Sequence, residues 1–151
     1  SECARRYKAL GCRVLGVDLY PTENELYEKI YPLSVLPSIL SVSDAVILTL
    51  PLTDETRGLF DGEMLSHMKN TAVLINISRG AVVDEDALTK LYGAVLDVFE
   101  SEPLSQDSPL WDMENVVITP HNSFVSEKNS ERLFSVIYGN LSDFLKGDKA
   151  E

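Results

Sequence analysis

Short, continuous runs of apolar residues, separated by stretches with helical spacing, constrain the fold of this chain most strongly. The runs lie at residues 12–18, 45–50, 71–77, 94–98 and 116–119. A strand that is apolar along its whole length is buried on both faces, which is typical of a parallel sheet covered by helices. The sequence therefore predicts an α/β fold with a doubly wound parallel sheet.

The stretches between these runs carry signals for helices. Gly11 is expected to end a first helix that begins near Cys3, and residues 36–40 are expected to form a short helix. Asp61 is expected to cap a helix that continues to Met68. Asp84 is expected to open a further helix, because acidic residues favour a helix N-terminus. A last helix is predicted to carry one apolar stripe, formed by Leu133, Ile137, Leu141, Phe144 and Leu145.

Composition narrows the classes of partner. The 151 residues suit one domain, and the net charge of −11 disfavours nucleic acid as a partner. The longest apolar stretch, residues 45–52, is too short to cross a membrane. Cys3 and Cys12 lack the spacing of metal ligands, so we expect a reduced pair, no metal site and a cytoplasmic location.

The polar residues that follow the predicted strands mark the expected site. Doubly wound sheets bind ligands beyond the carboxyl ends of their strands. The residues found there are Asp18, Pro51, Thr53, Thr56, Ser78, Arg79, Asp97, Glu102 and His121. An arginine at such an edge pairs either with a carboxylate of its own chain, here Asp84 or Glu85, or with a carboxylate of a ligand. These two readings of Arg79 are both open at this point.

Five motifs in this order resemble the cofactor-binding domain of the D-isomer-specific 2-hydroxyacid dehydrogenases. They are VLGVDLYP (14–21), LPLTDETRGLF (50–60), NISRGAVVDEDAL (76–88), LDVFESEPL (96–104) and TPHNS (119–123). The similarity extends to NLSDFLKGD (140–148) and so covers nearly the whole chain. The resemblance implies a Rossmann-like domain over residues 1–151.

Two departures from the family pattern predict that this domain is incomplete at its N-terminus and between residues 90 and 91. The family's Gly-x-Gly-x-x-Gly turn, which binds phosphate at a helix N-terminus, is absent. The family's substrate domain is absent as well. Between two parallel strands, residues 84–90 leave under two turns of helix, whereas a crossover needs a dozen or more residues. We therefore predict that a short segment is missing between Lys90 and Leu91.

The resemblance implies catalytic roles for Arg79, Glu102 and His121. Arg79 corresponds to the residue that grips the substrate's carboxylate and carbonyl, and His121 to the acid that protonates the carbonyl oxygen. Glu102 corresponds to the partner of His121, and we expect its carboxylate to favour the protonated imidazole.

The resemblance also implies NAD as the cofactor and a set of residues that contact it. Asp18 is expected to bind the adenosine ribose hydroxyls. Leu50, Pro51 and Thr56 correspond to positions on the adenine and ribose side. Ile77, Ser78 and Asp97 correspond to positions near the nicotinamide, where Asp97 would accept a hydrogen bond from the carboxamide, and Arg79 and His121 lie on the same side.

These expectations converge on an NAD-dependent oxidoreductase that interconverts a 2-oxo acid and a D-2-hydroxy acid. Family resemblance further implies a homodimer. Two other readings are open: a dinucleotide-sensing, corepressor-like binding protein of the same superfamily, and an enzyme of the phosphoglycerate dehydrogenase type.

Overall fold

The computed structural model describes residues 2–147, which form parallel strands joined by helices. The strands are β1 (Leu15–Asp18), β2 (Lys29–Pro32), β3 (Ala45–Leu48), β4 (Val73–Asn76), β5 (Gly93–Leu96) and β6 (Val116–Ile118). The α-helices are α1 (Glu2–Ala9), α2 (Leu36–Leu40), α3 (Gly62–Ser66) and α4 (Asn129–Lys146). Short 3₁₀ helices lie at Leu33–Val35, Gly80–Val82, Asp86–Lys90 and Pro109–Asp112.

The strands form one sheet of two strands and one of four, and every pairing is parallel. β1 pairs with β2, and the larger sheet has the order β3-β4-β5-β6. This arrangement confirms the predicted α/β class and Rossmann-like fold. A dinucleotide-binding sheet usually has its first strand, followed by the glycine-rich turn, at the middle of the strand order. Within residues 2–147 no strand joins β1 to β3.

Each predicted strand is present but shorter than its apolar run. The run at 12–18 gives β1 from residue 15, and the run at 71–77 gives β4 from residue 73. Of the residues that flank these two strands, Ala72 is buried, whereas Cys12, Arg13 and Thr71 are exposed. β2 was not predicted, because KIYP is short, begins with a lysine and ends with a proline.

The two predicted helix starts behave differently. Asp61 caps α3 as expected, and its side chain accepts a hydrogen bond from the Met64 N–H at 2.8 Å. The prediction that Asp84 opens an α-helix is wrong. Its carboxylate instead accepts the Asp86 N–H at 3.1 Å, and a 3₁₀ helix follows at Asp86–Lys90. Along this segment the backbone N–H groups bond to carbonyls three residues back, from Ala87 to Asp84 and from Leu88 to Glu85, which is the 3₁₀ pattern.

The hydrophobic core lies on the four-stranded sheet, whereas α4 contributes no buried side chain. Each of β3, β4 and β5 supplies one nearly inaccessible leucine, namely Leu48, Leu74 and Leu96. The apolar residues of the predicted α4 stripe are all more than half exposed. Across the described residues, no helix is both long enough and apolar enough to cross a membrane.

Candidate active site

The turn after β4 holds Arg79 through hydrogen bonds made by Asn76. The buried Asn76 side chain accepts the Ser78 N–H at 3.0 Å and the Ser78 hydroxyl at 2.7 Å. Its amide group donates to the Arg79 carbonyl at 3.1 Å. The Arg79 guanidinium donates to the Ser78 carbonyl at 2.6 Å and forms no salt bridge with any described carboxylate. The structure therefore gives no support to the pairing of Arg79 with Asp84 or Glu85.

Asp97, which follows β5, anchors the turn that carries His121. One carboxylate oxygen accepts the Thr119 hydroxyl at 2.5 Å and the Asn122 N–H at 2.9 Å. The other accepts the Ser123 N–H at 2.9 Å. His121, between these anchors, has a φ of 49°, a left-handed conformation that costs energy in a residue with a Cβ atom. The hydrogen bonds to Asp97 stabilise this turn and so fix the direction of the imidazole.

The same hydrogen bonds control the charge of Asp97. Burial by itself raises the pKa of this carboxyl, and only 1% of the residue is exposed. The donors from Ser123, Thr119 and Asn122 outweigh burial and lower the pKa of Asp97 from 3.8 to about 2. Because its oxygens already bind this turn, the expected hydrogen bond from the nicotinamide carboxamide stays a prediction.

Glu102 and His121 form the expected acid–base pair. The Nδ1 atom of His121 lies 2.6 Å from Oε2 of Glu102, and the other oxygen of Glu102 accepts the Phe99 N–H at 3.0 Å. The hydrogen bond with His121 lowers the pKa of Glu102 most strongly, burial opposes this, and the Phe99 N–H adds to it. A carboxylate on Nδ1 leaves Nε2 of the imidazole to exchange a proton with a ligand. Within the described residues, Nε2 has no hydrogen-bond partner.

A cleft brings together five of the residues that were predicted to contact the cofactor. It has a volume of about 590 Å³ and lies beyond the carboxyl ends of β3 and β4. The predicted residues in its lining are Leu50, Pro51, Ile77, Ser78 and Arg79, and Thr49 and Leu52 complete it. An open cleft that is lined by both polar and apolar groups and contains one cation lies within the size range of small-molecule sites.

Four predicted cofactor residues do not line this cleft, namely Asp97 and His121, which are described above, and Thr56 and Asp18. The buried Thr56 hydroxyl donates to the Pro51 carbonyl at 2.8 Å and accepts the Thr53 N–H at 2.8 Å. Thr56 thus shapes the loop that supplies Pro51. Asp18 is exposed at the end of β1, where its carboxylate accepts the Tyr20 N–H at 2.9 Å. A direct contact of Thr56 or Asp18 with the cofactor stays a prediction.

Sequence reasoning missed Asn76 and Thr119, which shape the two turns of the site. The sequence does carry a signal for each of them, because each is a polar residue at the end of an apolar run. Asn76 is the last residue of β4, and Thr119 follows β6 directly. The parallel register pairs Leu96 with Ile118, which places Asp97 opposite Thr119. Their role could therefore have been inferred once the pairing of β5 with β6 was known.

A doubly wound domain with an arginine, a glutamate and a histidine beyond its strands belongs to the class of nucleotide-dependent oxidoreductase domains. Comparison with known proteins makes this more specific. Residues 1–123 match the NAD-binding domain of the D-isomer-specific 2-hydroxyacid dehydrogenases. The chain therefore belongs to this family, and the resemblance inferred from its motifs is confirmed.

Curated and solved relatives agree with this assignment. Over 96% of its length the chain is 41% identical to a glyoxylate reductase of Korarchaeum cryptofilum, of which it covers 46%. It is 39% identical to an (S)-sulfolactate dehydrogenase of Chromohalobacter salexigens, covering 93% of this chain and 48% of that protein. It also resembles, with a TM-score of 0.90, an NADPH-dependent glyoxylate/hydroxypyruvate reductase of Sinorhizobium meliloti in complex with NADP and sulfate. That similarity has 32% identity and covers 99% of this chain and 50% of the other.

The chain spans about half the length of the relatives that it matches. Within this half, the described residues that suit a nicotinamide dinucleotide lie around the cleft beyond β3 and β4. The cleft beside Ile77 and Ser78 offers the apolar side chains of Leu50, Pro51 and Ile77, and the Arg79 guanidinium has no carboxylate partner among the described residues. The described residues form no cluster that could hold a metal ion.

Proposed function

We propose that the protein reduces 2-oxo acids to D-2-hydroxy acids, and catalyses the reverse oxidation, with NAD as its cofactor. The observation that carries this proposal is the 2.6 Å pair of Glu102 and His121 on the sheet edge that also presents Arg79. A 2-oxo acid offers a carboxylate for a guanidinium and a carbonyl oxygen for a proton donor. When bound, the nicotinamide supplies the hydride.

Arg79 would bind and orient the substrate in this scheme. A guanidinium can form two parallel hydrogen bonds to a carboxylate, which fixes the substrate in one orientation. The side chain is exposed, and Asn76 holds its backbone in place. The absence of a salt bridge to Arg79 among the described residues supports the reading in which its guanidinium binds a ligand.

His121 would supply the proton to the carbonyl oxygen. With its Nδ1 atom held by Glu102, the imidazole presents Nε2 as donor. The Glu102 carboxylate stabilises the imidazolium form, and the lowered pKa of Glu102 keeps that carboxylate ionised at neutral pH. The reverse oxidation would return the proton to the same atom.

Turnover of a panel of 2-oxo acids, followed by the oxidation of NADH, tests this proposal. Glyoxylate, hydroxypyruvate and 3-phosphohydroxypyruvate should be included, because the relatives act on small acids and a phosphorylated substrate would indicate the phosphoglycerate dehydrogenase reading. We expect His121→Ala to lower kcat by roughly 10² to 10⁴, the usual range for a lost general acid. Arg79→Ala should raise KM as well, because it binds the substrate in the ground state.

The result that would contradict the proposal is tight NADH binding without turnover of any acid in the panel. That outcome would favour the dinucleotide-sensing binding protein. His67, which is exposed and lies at the end of α3, offers a matched control because it is far in sequence from every strand end. His67→Ala should leave both kcat and KM unchanged.

We further propose that the protein acts as a cytoplasmic homodimer that does not bind nucleic acid. Support for the dimer comes from α4, whose large apolar side chains are more than half exposed and would be covered at an interface. The net charge of −11 supports the exclusion of nucleic acid, and the free thiols of Cys3 and Cys12 suit a reducing compartment. Light scattering should give twice the mass of one chain.

A further inference from the structure

One peptide group beyond the strand ends connects the segment that carries Arg79 to the loop that carries Glu102. It is the peptide between Phe99 and Glu100. Gly80, next to Arg79, packs directly against it, since a Cβ atom at Gly80 would lie 1.8 Å from the Phe99 carbonyl carbon and 2.0 Å from its oxygen. Only glycine allows this approach.

Glu85 holds the other side of the same peptide group. Its Oε1 atom accepts the Glu100 N–H at 2.5 Å, across fifteen residues of sequence. Phe99 is buried in the core, and its own N–H donates to Glu102 at 3.0 Å. Glu102 in turn binds Nδ1 of His121 at 2.6 Å. A continuous set of contacts therefore runs from Glu85 to the imidazole.

We propose that Glu85 is a positioning residue for the Glu102–His121 pair, acting through the Glu100 N–H and the backbone of Phe99. This role rests on the proposed function, because it matters for catalysis only if His121 is the proton donor. Glu85 touches neither Glu102 nor His121 directly. Its effect is to fix the loop on which Glu102 lies against the segment that presents Arg79.

The surroundings of Glu85 favour a hydrogen-bonding role over an ionic one. Burial raises the pKa of its carboxyl, the Glu100 N–H lowers it, and the like charges of Glu100 and Asp86 raise it further. No described cation forms a salt bridge with it. A glutamine should therefore serve in its place, because it keeps the acceptor oxygen and removes the like-charge repulsion.

The test compares Glu85→Ala and Glu85→Gln with Asp86→Ala as the matched control. Asp86 is the adjacent acid and begins the 3₁₀ helix that follows Glu85, and its exposed side chain makes no hydrogen bond within the described residues. The primary measurement is the titration of the Glu102 carboxyl by ¹³C NMR in the free protein. Glu85→Ala should raise the pKa of Glu102, because it loosens the bonds from His121 and Phe99. Glu85→Gln and Asp86→Ala should titrate like the wild type.

A second measurement follows the reduction of glyoxylate by NADH. Glu85→Ala should lower kcat/KM roughly 10- to 100-fold, which is the scale of effect that a misplaced catalytic group produces. Glu85→Gln should restore most of the activity. The NMR titration needs no turnover, so a failure of the proposed function would leave this test intact.

An unchanged titration of Glu102 in Glu85→Ala, with only a lower midpoint of thermal unfolding, would overturn the proposal and make Glu85 a purely structural residue. A Glu85→Gln variant that titrates like Glu85→Ala would overturn it as well. If Glu85→Ala does not fold, Glu85→Asp takes its place, because a side chain one methylene shorter withdraws the acceptor from the Glu100 N–H. The same outcomes then apply.

Discussion

In the site, the pKa of each of two carboxylates, Asp97 and Glu102, depends on the hydrogen bonds that the carboxylate accepts from its neighbours. Asp97 has its oxygens bound by Thr119, Asn122 and Ser123, whereas Glu102 divides its oxygens between Phe99 and His121. In both residues the donors overcome the effect of burial and lower the pKa. The consequence differs, because Asp97 fixes the turn while Glu102 touches the imidazole that would exchange the proton.

Glu102→Gln should lower kcat/KM for 2-oxo acid reduction at every pH at which the wild type is active. The amide keeps the size of the side chain but removes the negative charge beside Nδ1 of His121, so the proposed proton donor loses its ionic partner. The measurement is the pH profile of kcat/KM between pH 5 and 9. A profile that overlays the wild type would show that Glu102 only supports the fold.

The Asp97 carboxyl should make the free energy of unfolding depend on pH in the range below its ordinary pKa of 3.8. Its pKa in the folded protein, about 2, lies below the ordinary 3.8, so its contribution is present above that ordinary value and is lost as the pH falls toward 2. The size of the shift corresponds to about 2 kcal/mol in the free energy of unfolding.

Asp97→Asn is therefore expected to lower the free energy of unfolding by at least about 2 kcal/mol at pH 7. The difference from the wild type, measured by urea denaturation, should shrink as the pH falls from 5 to 2. Asp107→Asn, at an exposed position, is the control and should show no such trend. A difference that is constant with pH would mean that the Asp97 hydrogen bonds do not depend on its charge.

Among the secondary-structure elements, the connection between β4 and β5 departs most from the usual crossover. It consists of two 3₁₀ helices and contains no α-helix. A hollow of about 280 Å³ lies beside it, lined on one side by α3 residues and on the other by Ala87, Lys90, Leu91 and Tyr92. Lys90 and Leu91 thus border a space that further helical residues could fill.

We propose that the natural protein carries a short additional segment between Lys90 and Leu91. The similarity to the Korarchaeum cryptofilum relative supports this. It extends over 153 residues, although only 96% of this 151-residue chain takes part, so the relative has residues in the aligned region that this chain lacks. Cleavage of the native protein after glutamate, followed by mass spectrometry of the peptide that begins at Asp86, should give a mass above that of residues 86–100. A mass equal to that of this sequence would refute the proposal.

For the molecule as a whole, the division into two sheets separates the expected ribose site from the residues proposed for catalysis. Asp18 lies at the end of β1 in the two-stranded sheet, and the cleft beside Arg79 belongs to the four-stranded sheet. A dinucleotide is long enough to contact both ends of such a domain. We therefore expect the choice between NAD and NADP to depend on Asp18 at the end of β1, far in sequence from the residues proposed for catalysis.

We expect the protein to prefer NADH over NADPH by tenfold or more, about 1.4 kcal/mol in binding free energy. The exposed Asp18 carboxylate can accept two ribose hydroxyls but repels a 2′-phosphate, and the LYPTEN segment after it contains no arginine. The Sinorhizobium meliloti relative, which was crystallised with NADP, shows that the other choice occurs within similar structures.

Fluorescence titration with each reduced cofactor measures this preference. Asp18→Ser should weaken the binding of NADH and strengthen that of NADPH, because it removes the charge and keeps a hydroxyl. Asp44→Ser, at another exposed acid on the sheet surface, should change neither affinity. Equal or tighter binding of NADPH to the wild type would contradict the expected role of Asp18.

The sequence by itself determined the fold class and the set of polar residues at the strand ends. Apolar runs indicate buried strands because burial depends on composition along a short stretch, and this is local information. The same reasoning failed for β2, which is too short to stand out, and for the helix expected at Asp84, whose form depends on the distance that the chain must span.

Only the tertiary structure decided how the site residues act on one another. The sequence places Asp97 and His121 far apart and says nothing of the left-handed backbone at His121 or of the hydrogen bonds that hold it. It likewise gives no sign that Gly80 and Glu85 hold the Phe99–Glu100 peptide. Such contacts depend on the register of neighbouring strands and on the paths of the loops after them. The register follows from the packing of the whole sheet, so no single segment of the sequence contains it.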